Sequence, residues 1–294
     1  MNSLILSMFL AILTPFIVGL MNVISKYVVS VKVKDVLSFT LISGFTTLII
    51  GLIIASFLDW TGTTFHGVLF PALAGILMGL NYYLYFWMMR LEDASNVMGF
   101  NYFYPVVVAL LSAFFLNEVL SIYSYIGMML IFTGVVMLTI RMHKLKFKVA
   151  LWMIVTMMII SALYRFFIKL ATTNLPQFNG IAVNSLFIGL TMIPLLFSSS
   201  VRKGIKYELR NFKWALLCEI LTVSSIVCMY VAMKNLSVTF VSAISAMQPL
   251  AIILIEKLFG VFGLKVVRDE KFIHKLIPMC LIVAGIILMY VFIK

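Results

Sequence analysis

Long runs of apolar residues, separated by short polar stretches, extend along the chain from end to end. A helix needs about 20 consecutive apolar residues to cross the hydrocarbon core of a bilayer. Runs of about that length occur near residues 3–25, 36–57, 67–89, 95–116, 122–140, 149–170, 178–198, 213–233, 238–259 and 273–293. The pattern predicts an all-α transmembrane protein with ten helices joined by short connections.

The composition explains why these helices require lipid. Of the 294 residues, 64% are hydrophobic and only 11% are charged, whereas soluble domains carry roughly 25% charged residues. The chain therefore lacks the polar side chains needed to cover a water-facing surface. The first run has no basic segment before it, so we interpret it as a membrane helix and not as a removable signal peptide.

The basic residues are distributed unevenly among the loops. Seventeen of the 22 lysines and arginines lie in loops one, three, five, seven and nine, whereas loops two and four contain none. Under the positive-inside rule the odd loops are cytoplasmic, which places both termini outside the cell membrane. The net charge of +12 then indicates contact with anionic lipid headgroups and no nucleic-acid partner.

The two halves of the chain resemble each other. The stretch SNVMGFNYFYP ends at Pro105 and the stretch VTFVSAISAMQP ends at Pro249, and each has a hydroxyl residue ten positions before its proline. Further on, YIGMMLIFTGVVML aligns with LIPMCLIVAGIILM, which places Gly134 against Gly285. We predict two five-helix repeats, 1–140 and 149–294, joined by a basic linker at 141–148. Because five is odd, the second repeat must enter the membrane upside down, as an inverted-topology repeat.

These landmarks resemble the drug/metabolite transporter superfamily in its ten-helix EamA-type branch. The resemblance is carried by Pro105 with the following LNE (116–118), by GMMLIFTGVVML (127–138), and by Pro249 with the run through Gly285. It implies a carrier that works by alternating access, with a central cavity lined by helices one, three, four, six, eight and nine. The chain departs from the repeat at Phe262, which aligns with Glu118 of the first half.

Motifs of catalysis are missing from the sequence. It contains no HExxH, no GxSxG and no GxxxxGK[ST] segment, which are the patterns of zinc proteases, serine hydrolases and ATP-binding loops. The three cysteines lie inside apolar runs without the spacing of metal ligands. We expect neither an enzyme nor a cofactor or metal site.

Charged residues inside apolar helices are costly and therefore informative. Glu219 and Glu256 lie within predicted helices eight and nine, where each could bind a proton or an amine. Two alternatives remain: an ion pair with Lys257, or a Glu219 side chain that reaches the interface. Arg165 and Lys169, four residues apart near the outer end of helix six, are interpreted as cations that extend to the interface.

The stretch NYYLYFWMMR (81–90) is predicted to begin in the wall of a binding site and to end among the aromatic and basic residues at the membrane interface. Asn81 and Tyr85 share one helical face and Tyr82 lies on the neighbouring face. Because asparagine is expensive in lipid, this face should turn inward. Trp87 and Arg90 fit the aromatic and basic belt at the cytoplasmic interface.

Helix four offers a second inward-facing pair in Asn101 and Tyr104. The tyrosines of both helices would hold a cation through their ring faces, while Asn81 and Asn101 would orient it. Asn22 in helix one and Asn184 in helix seven are weaker candidates.

We therefore predict a secondary active transporter of a small polar or cationic metabolite, either a choline-like quaternary ammonium compound or an amino acid. Its partners are this solute, protons as a candidate coupling ion, and the bilayer; we expect a monomer, with a dimer as the alternative. A carrier of nucleotide sugars or phosphorylated metabolites would require basic residues deep in the cavity. A membrane partner protein without transport activity is the remaining alternative.

Overall fold

The computed structural model describes residues 2–91, 104–118, 120–140, 149–261 and 273–291. Within these ranges every regular element is helical. In chain order the α-helices are α1 (Asn2–Tyr27), α2 (Val36–Ser56), α3 (Phe65–Leu91), α4 (Tyr104–Phe115), α5 (Ile122–Ile140), α6 (Val149–Asn174), α7 (Gln177–Leu190), α8 (Ser199–Glu208), α9 (Phe212–Asn235), α10 (Val238–Ser245), α11 (Gln248–Val261) and α12 (Ile273–Val291). The predicted all-α class is confirmed.

Several helices have the length and composition of membrane spans. Seven stretches of the described residues are long and apolar enough to cross a bilayer, and three shorter apolar helices accompany them at Tyr104–Phe115, Ile122–Gly134 and Ile277–Met289. Large apolar side chains such as Phe9, Ile53 and Phe114 are exposed on the outside of the bundle. Lipid is the solvent that these surfaces require.

The polar stretch 198–213, predicted as a loop, instead contains a helix. Residues Ser199–Glu208 form α8, which packs against the N-terminal part of α2. Ser38 donates a hydrogen bond to the Val201 carbonyl at 2.9 Å, and the Glu208 carboxylate accepts from the backbone N–H groups of Lys34 and Asp35 at 2.8 and 3.0 Å. The segment was predicted as a loop because it is rich in charge. Its pattern is nevertheless amphipathic, with buried residues on one face and cations on the other.

The helices of one half pack on those of the other in a regular pattern. Helix α1 packs on α9 and on α11, while α6 packs on α3 and on α4. Helix α2 packs on α7, and α5 packs on α12. We match the helices of the first half, α1 to α5 in order, with α6, α7, α9, α10–α11 and α12 of the second half. Replacing each helix by its match gives the same list of contacts.

Glycines allow a close approach between α5 and α12. A Cβ atom added to Gly127 would lie 2.7 Å from the Gly285 carbonyl oxygen, and one added to Gly285 would lie 2.5 Å from the Gly127 carbonyl oxygen. One added to Gly134 would lie 2.6 Å from the Pro278 carbonyl oxygen. Since the residue order along α5 is opposed to that along α12, the two helices are antiparallel.

The ninth predicted span is broken in the middle. Helix α10 ends at Ser245 and α11 begins at Gln248, with tighter turns at Ala246 and Met247, whose N–H groups reach back three residues. Pro249 explains the break, because its ring lacks an N–H donor and clashes with the carbonyl four residues earlier. The break gives both half-helices an end inside the protein.

Candidate functional site

A central cavity of about 110 Å³ lies between the two halves. It is lined by α1, α3, α4, α6, α9 and α11, which correspond to predicted spans one, three, four, six, eight and nine. These are the spans that the resemblance implied. Its polar lining consists of Thr14, Asn22, Asn81, Tyr85, Tyr104, Ser161, Tyr164, Arg165, Thr222, Ser225 and Gln248. A cavity of about 10–15 Å³ is large enough for one water molecule, so this cavity has room for a small solute.

A smaller cavity of about 50 Å³ adjoins the first. The two share the wall residues Met21, Met78, Asn81, Tyr85 and Thr222. The smaller one is also lined by Tyr82, Cys218 and Glu219. The two cavities are therefore neighbours with a shared wall, one lined by the cation Arg165 and the other by the carboxylate of Glu219.

Arg165 is the cation, and its position corrects the prediction that it extends to the interface. Its side chain is buried, with Nη1 3.2 Å from the Met229 Sδ and 3.4 Å from the Ser245 Oγ. No carboxylate within the described residues pairs with it. The prediction placed the end of helix six near residue 170, but α6 continues to Asn174. Arg165 thus lies nine residues, or about 14 Å, from the end of the helix, and its side chain is directed into the protein.

Tyr104 covers the guanidinium of Arg165. The Arg165 Cζ lies 4.5 Å from the centre of the Tyr104 ring, within the range of a cation–π contact. The Tyr104 hydroxyl donates to the Ser242 carbonyl at 3.2 Å, on the broken helix. The ring predicted to hold a substrate cation therefore already holds a cation that belongs to the protein.

The predicted asparagines of helices one and three lie in the wall with part of their amide groups unused. Tyr85 donates to the Asn22 Oδ1 at 2.9 Å, while the Asn22 Nδ2 has no hydrogen-bond partner. The Asn81 Nδ2 donates to the Ser161 Oγ at 3.2 Å, while the Asn81 Oδ1 has no partner. Both residues belong to the cavity wall, and each has one buried amide atom without a hydrogen-bond partner.

Glu219 is the carboxylate, and it is 2% exposed. Its Oε2 accepts from the Tyr82 hydroxyl at 2.7 Å and from the Thr47 hydroxyl at 2.8 Å. No cation within the described part of the chain forms an ion pair with Glu219, and its buried side chain does not reach the interface. Its partners lie on α3 and α2, in the other half of the chain.

The remaining predicted site residues are placed differently. Asn184 is buried between α7 and α3, where its Nδ2 lies 3.4 Å from the Pro71 carbonyl oxygen, and it does not line the cavity. Asn101 lies outside the described residues. Glu256 lies on α11, but its side chain is outside the described part. Trp87 is 48% exposed on the outside of the bundle.

Lys169, also predicted to extend to the interface, instead forms an ion pair that joins the halves. Its Nζ lies 3.1 Å from the Glu118 Oε1 and donates to the carbonyl oxygens of Met233 and Leu236, each at 2.9 Å. The Glu118 Oε2 accepts from the Val238 N–H at 3.0 Å. The single-sequence pattern gave no signal for this contact, because its members come from three separate segments.

Comparison with known proteins agrees with this architecture. The pattern of the EamA-like transporter family matches residues 5–140 and 148–291. The chain belongs to the EamA-like transporter family, and it is a multi-pass membrane protein of the drug/metabolite transporter kind. No curated protein sequence matches the chain.

Twenty-nine chains of solved structures resemble this one. One of them, described only as "Crystal structure of protein", has a TM-score of 0.67 and 17% identity, with 100% of this chain and 98% of the other covered. At that identity the likeness concerns the fold alone.

Proposed function

We propose that the protein is a secondary carrier of a small solute that bears a carboxylate group, with amino acids as the favoured class. The observation that carries this proposal is Arg165, a buried guanidinium in the cavity wall without a carboxylate partner among the described residues. A buried charge is costly unless it is paired. Arginine binds carboxylates through two parallel hydrogen bonds, so a substrate carboxylate would supply the missing partner.

The two unused amide groups favour a zwitterion over a quaternary ammonium compound. The Asn22 Nδ2 is a donor suited to a carboxylate oxygen, and the Asn81 Oδ1 is an acceptor suited to an ammonium group. A quaternary ammonium group has no N–H to donate to Asn81, and the Arg165 charge would repel it. For this reason the amino-acid alternative is retained and the choline-like alternative is ranked below it.

The transport class rests on the symmetry of the fold together with the family. Gly127 lies against Gly285, and Gly134 lies against Pro278. In the alignment of the repeats, Gly127 corresponds to Pro278 and Gly134 to Gly285, so exchanging the two repeats turns one contact into the other. Such self-complementary pairing is the sign of a two-fold axis. It supports ten spans in two inverted repeats, 1–140 and 149–294, around a site that alternates between the two sides.

The orientation belongs to the same proposal. The basic residues of the odd loops favour a chain whose two termini lie outside the cell membrane. In that orientation α8 and its cations Arg202, Lys203 and Lys206 lie at the cytoplasmic surface. Neither an enzyme activity nor a cofactor is part of the proposal.

Uptake into proteoliposomes tests the substrate class. We expect purified protein to take up one or more radiolabelled amino acids from a panel that also contains choline, a sugar nucleotide and the amines that lack the carboxylate of each amino acid. Loss of the carboxylate should reduce uptake at least tenfold, because it leaves Arg165 unpaired. Arg165→Lys should lower uptake strongly as well, since lysine lacks the planar fork of the guanidinium.

Arg202→Gln is the matched control, because Arg202 is exposed on α8 and donates to the backbone carbonyl oxygens of Leu196 and Phe197 just before that helix. It should leave uptake unchanged. Transport of choline or of the amines without any amino-acid transport would contradict the carboxylate proposal. Transport of the sugar nucleotide alone would instead assign Arg165 to a phosphate group.

A further inference from the structure

Among the described residues, the Glu219 carboxylate contacts the other half of the chain through hydroxyl groups. Its Oε2 accepts from Tyr82 on α3 and from Thr47 on α2, both in the first half, whereas Glu219 itself is on α9 in the second half. Hydrogen bonds to a charged carboxylate are roughly twice as strong as neutral ones. The strength of this tie therefore depends on whether the carboxylate carries its charge.

Glu219 and the residue that contacts Arg165 are separated by almost three turns of α9. Met229, which contacts the Arg165 guanidinium, follows Glu219 by ten residues, or about 15 Å along the helix. An α-amino acid carries its ammonium and carboxylate groups on one carbon. The small cavity beside Glu219, about 50 Å³, has room for a few waters. A proton carried by water fits such a site.

The surroundings of Glu219 contain groups that can pass a proton and none that would hold a fixed charge. From α3 it faces Tyr82 and Tyr85, and on α9 its neighbour is Cys218. From α2 it faces Thr47, and from α1 the wall contributes Ser25 and Met21. No lysine, arginine or histidine of the described residues pairs with it. The tie between α9, α2 and α3 is thus controlled by one ionisable group.

We propose that Glu219 is the proton-coupling site of the carrier. Its charged carboxylate holds α9 to α2 and α3, and binding of a proton loosens this tie and allows the two halves to move relative to each other. The Tyr82 and Thr47 hydroxyls keep their place but lose the charged acceptor. This inference rests on the proposed transport function, and it assigns the coupling ion and the residue that binds it.

Proteoliposomes with an internal pH dye test the proposal, with a mixture of the twenty standard L-amino acids, one labelled at a time, as the probe. Entry of label into vesicles containing the wild-type protein should acidify their interior, and a gradient of one pH unit should raise accumulation about tenfold for one coupled proton. Glu219→Gln should abolish both effects while retaining exchange of labelled for unlabelled amino acid. Asp59→Asn, the same change at an exposed loop residue, should behave like the wild type.

Continued acidification by Glu219→Gln would overturn the proposal. Equal loss of exchange and proton movement in a folded Glu219→Gln protein would also overturn it, because Glu219 would then serve the substrate or the fold. Infrared spectroscopy of the purified protein provides a readout without substrate. A protonated-carboxyl band that changes with pH in the wild type and is missing in Glu219→Gln supports the proposal, and its absence in the wild type refutes it.

If no amino acid enters wild-type vesicles, the proposed substrate class fails while the infrared measurement still decides the role of Glu219. Tyr82→Phe sharpens that measurement. It removes one donor that favours the charged carboxylate, so the pH at which the band appears should move upward. If that pH does not change, the infrared band does not arise from a carboxyl group that Tyr82 contacts, and the result counts against the proposal.

Discussion

At the scale of single residues, substitutions of Tyr104 can distinguish the role of its aromatic ring from that of its hydroxyl group. Its ring lies 4.5 Å from the Arg165 Cζ, and its hydroxyl donates to the Ser242 carbonyl, which also accepts from the Ala246 N–H at 3.1 Å. Tyr104→Phe therefore leaves that carbonyl satisfied and keeps the ring. Tyr104→Leu removes the ring and leaves the guanidinium less well held.

We expect Tyr104→Phe to transport amino acids with a KM within about twofold of the wild type. Tyr104→Leu should raise the KM by about 2- to 30-fold, which corresponds to the roughly 0.5–2 kcal/mol of a cation–π contact. The measurement is the concentration dependence of uptake by the two variants in parallel. Equal KM values for both variants would exclude a role for the ring.

Contacts between distant residues explain why the site could be predicted only in part. The inward-facing amides and tyrosines of helices one, three and four follow from the cost of polar groups in lipid, and Asn22, Asn81, Tyr85 and Tyr104 do line the cavity. The bonds of Glu219 to Tyr82 and Thr47 span 137 and 172 residues of sequence. Helical periodicity carries no information at such separations.

At the scale of elements, the α5–α12 contact should tolerate no side chain at its centre. A Cβ on Gly285 would lie 2.5 Å from the backbone oxygen of Gly127, and backbone cannot move aside as the end of a side chain can. Gly285→Leu should destabilise the protein by about 1–3 kcal/mol, the usual cost of overpacking. A thermal melt in detergent measures it.

Ala284→Leu provides the control for that melt, since Ala284 is the preceding residue of α12 and is exposed on the outside of the bundle. Its added bulk would enter lipid or detergent, so the melting temperature should stay near that of the wild type. A Gly285→Leu protein that melts together with Ala284→Leu would show that α5 and α12 do not approach as described.

The positions of helices could be predicted far better than their irregularities. Apolar runs of 20 residues located the spans, because crossing lipid imposes both length and composition. The break between α10 and α11 at Ala246 and Met247 was not predicted, although Pro249 was the available signal. Helix α8 was missed because its pattern covers only ten residues and is rich in charge.

At the scale of the whole molecule, the distribution of basic residues predicts the orientation. We expect an epitope tag placed after Lys294 to be accessible to antibody in intact cells, because the odd loops with most of the lysines and arginines should remain in the cytoplasm. A tag accessible only after permeabilisation would contradict the assignment. A tag inserted between Thr61 and Gly62, in the loop after α2, is the companion measurement and should also be accessible from outside.

The two ends of the molecule are held differently from its centre. At one end the Lys169–Glu118 ion pair joins α6 to the connection after α4. At the other, Glu208 binds the backbone at the start of α2. In the proposed alternating-access cycle, opening the cavity to either side would require one of these contacts between the halves to separate, whereas the α5–α12 contact would remain packed.

The smaller cavity has a practical consequence for spectroscopy. Cys218 lies in its wall next to Glu219, while Cys228 is buried elsewhere on α9 and Cys280 is exposed on the outside of the bundle. Replacing the latter two with alanine would leave a single thiol in the wall of that cavity. Because this thiol is 1% exposed, the rate at which it reacts with a small thiol reagent would report the entry of water beside Glu219 without the introduction of any foreign cysteine.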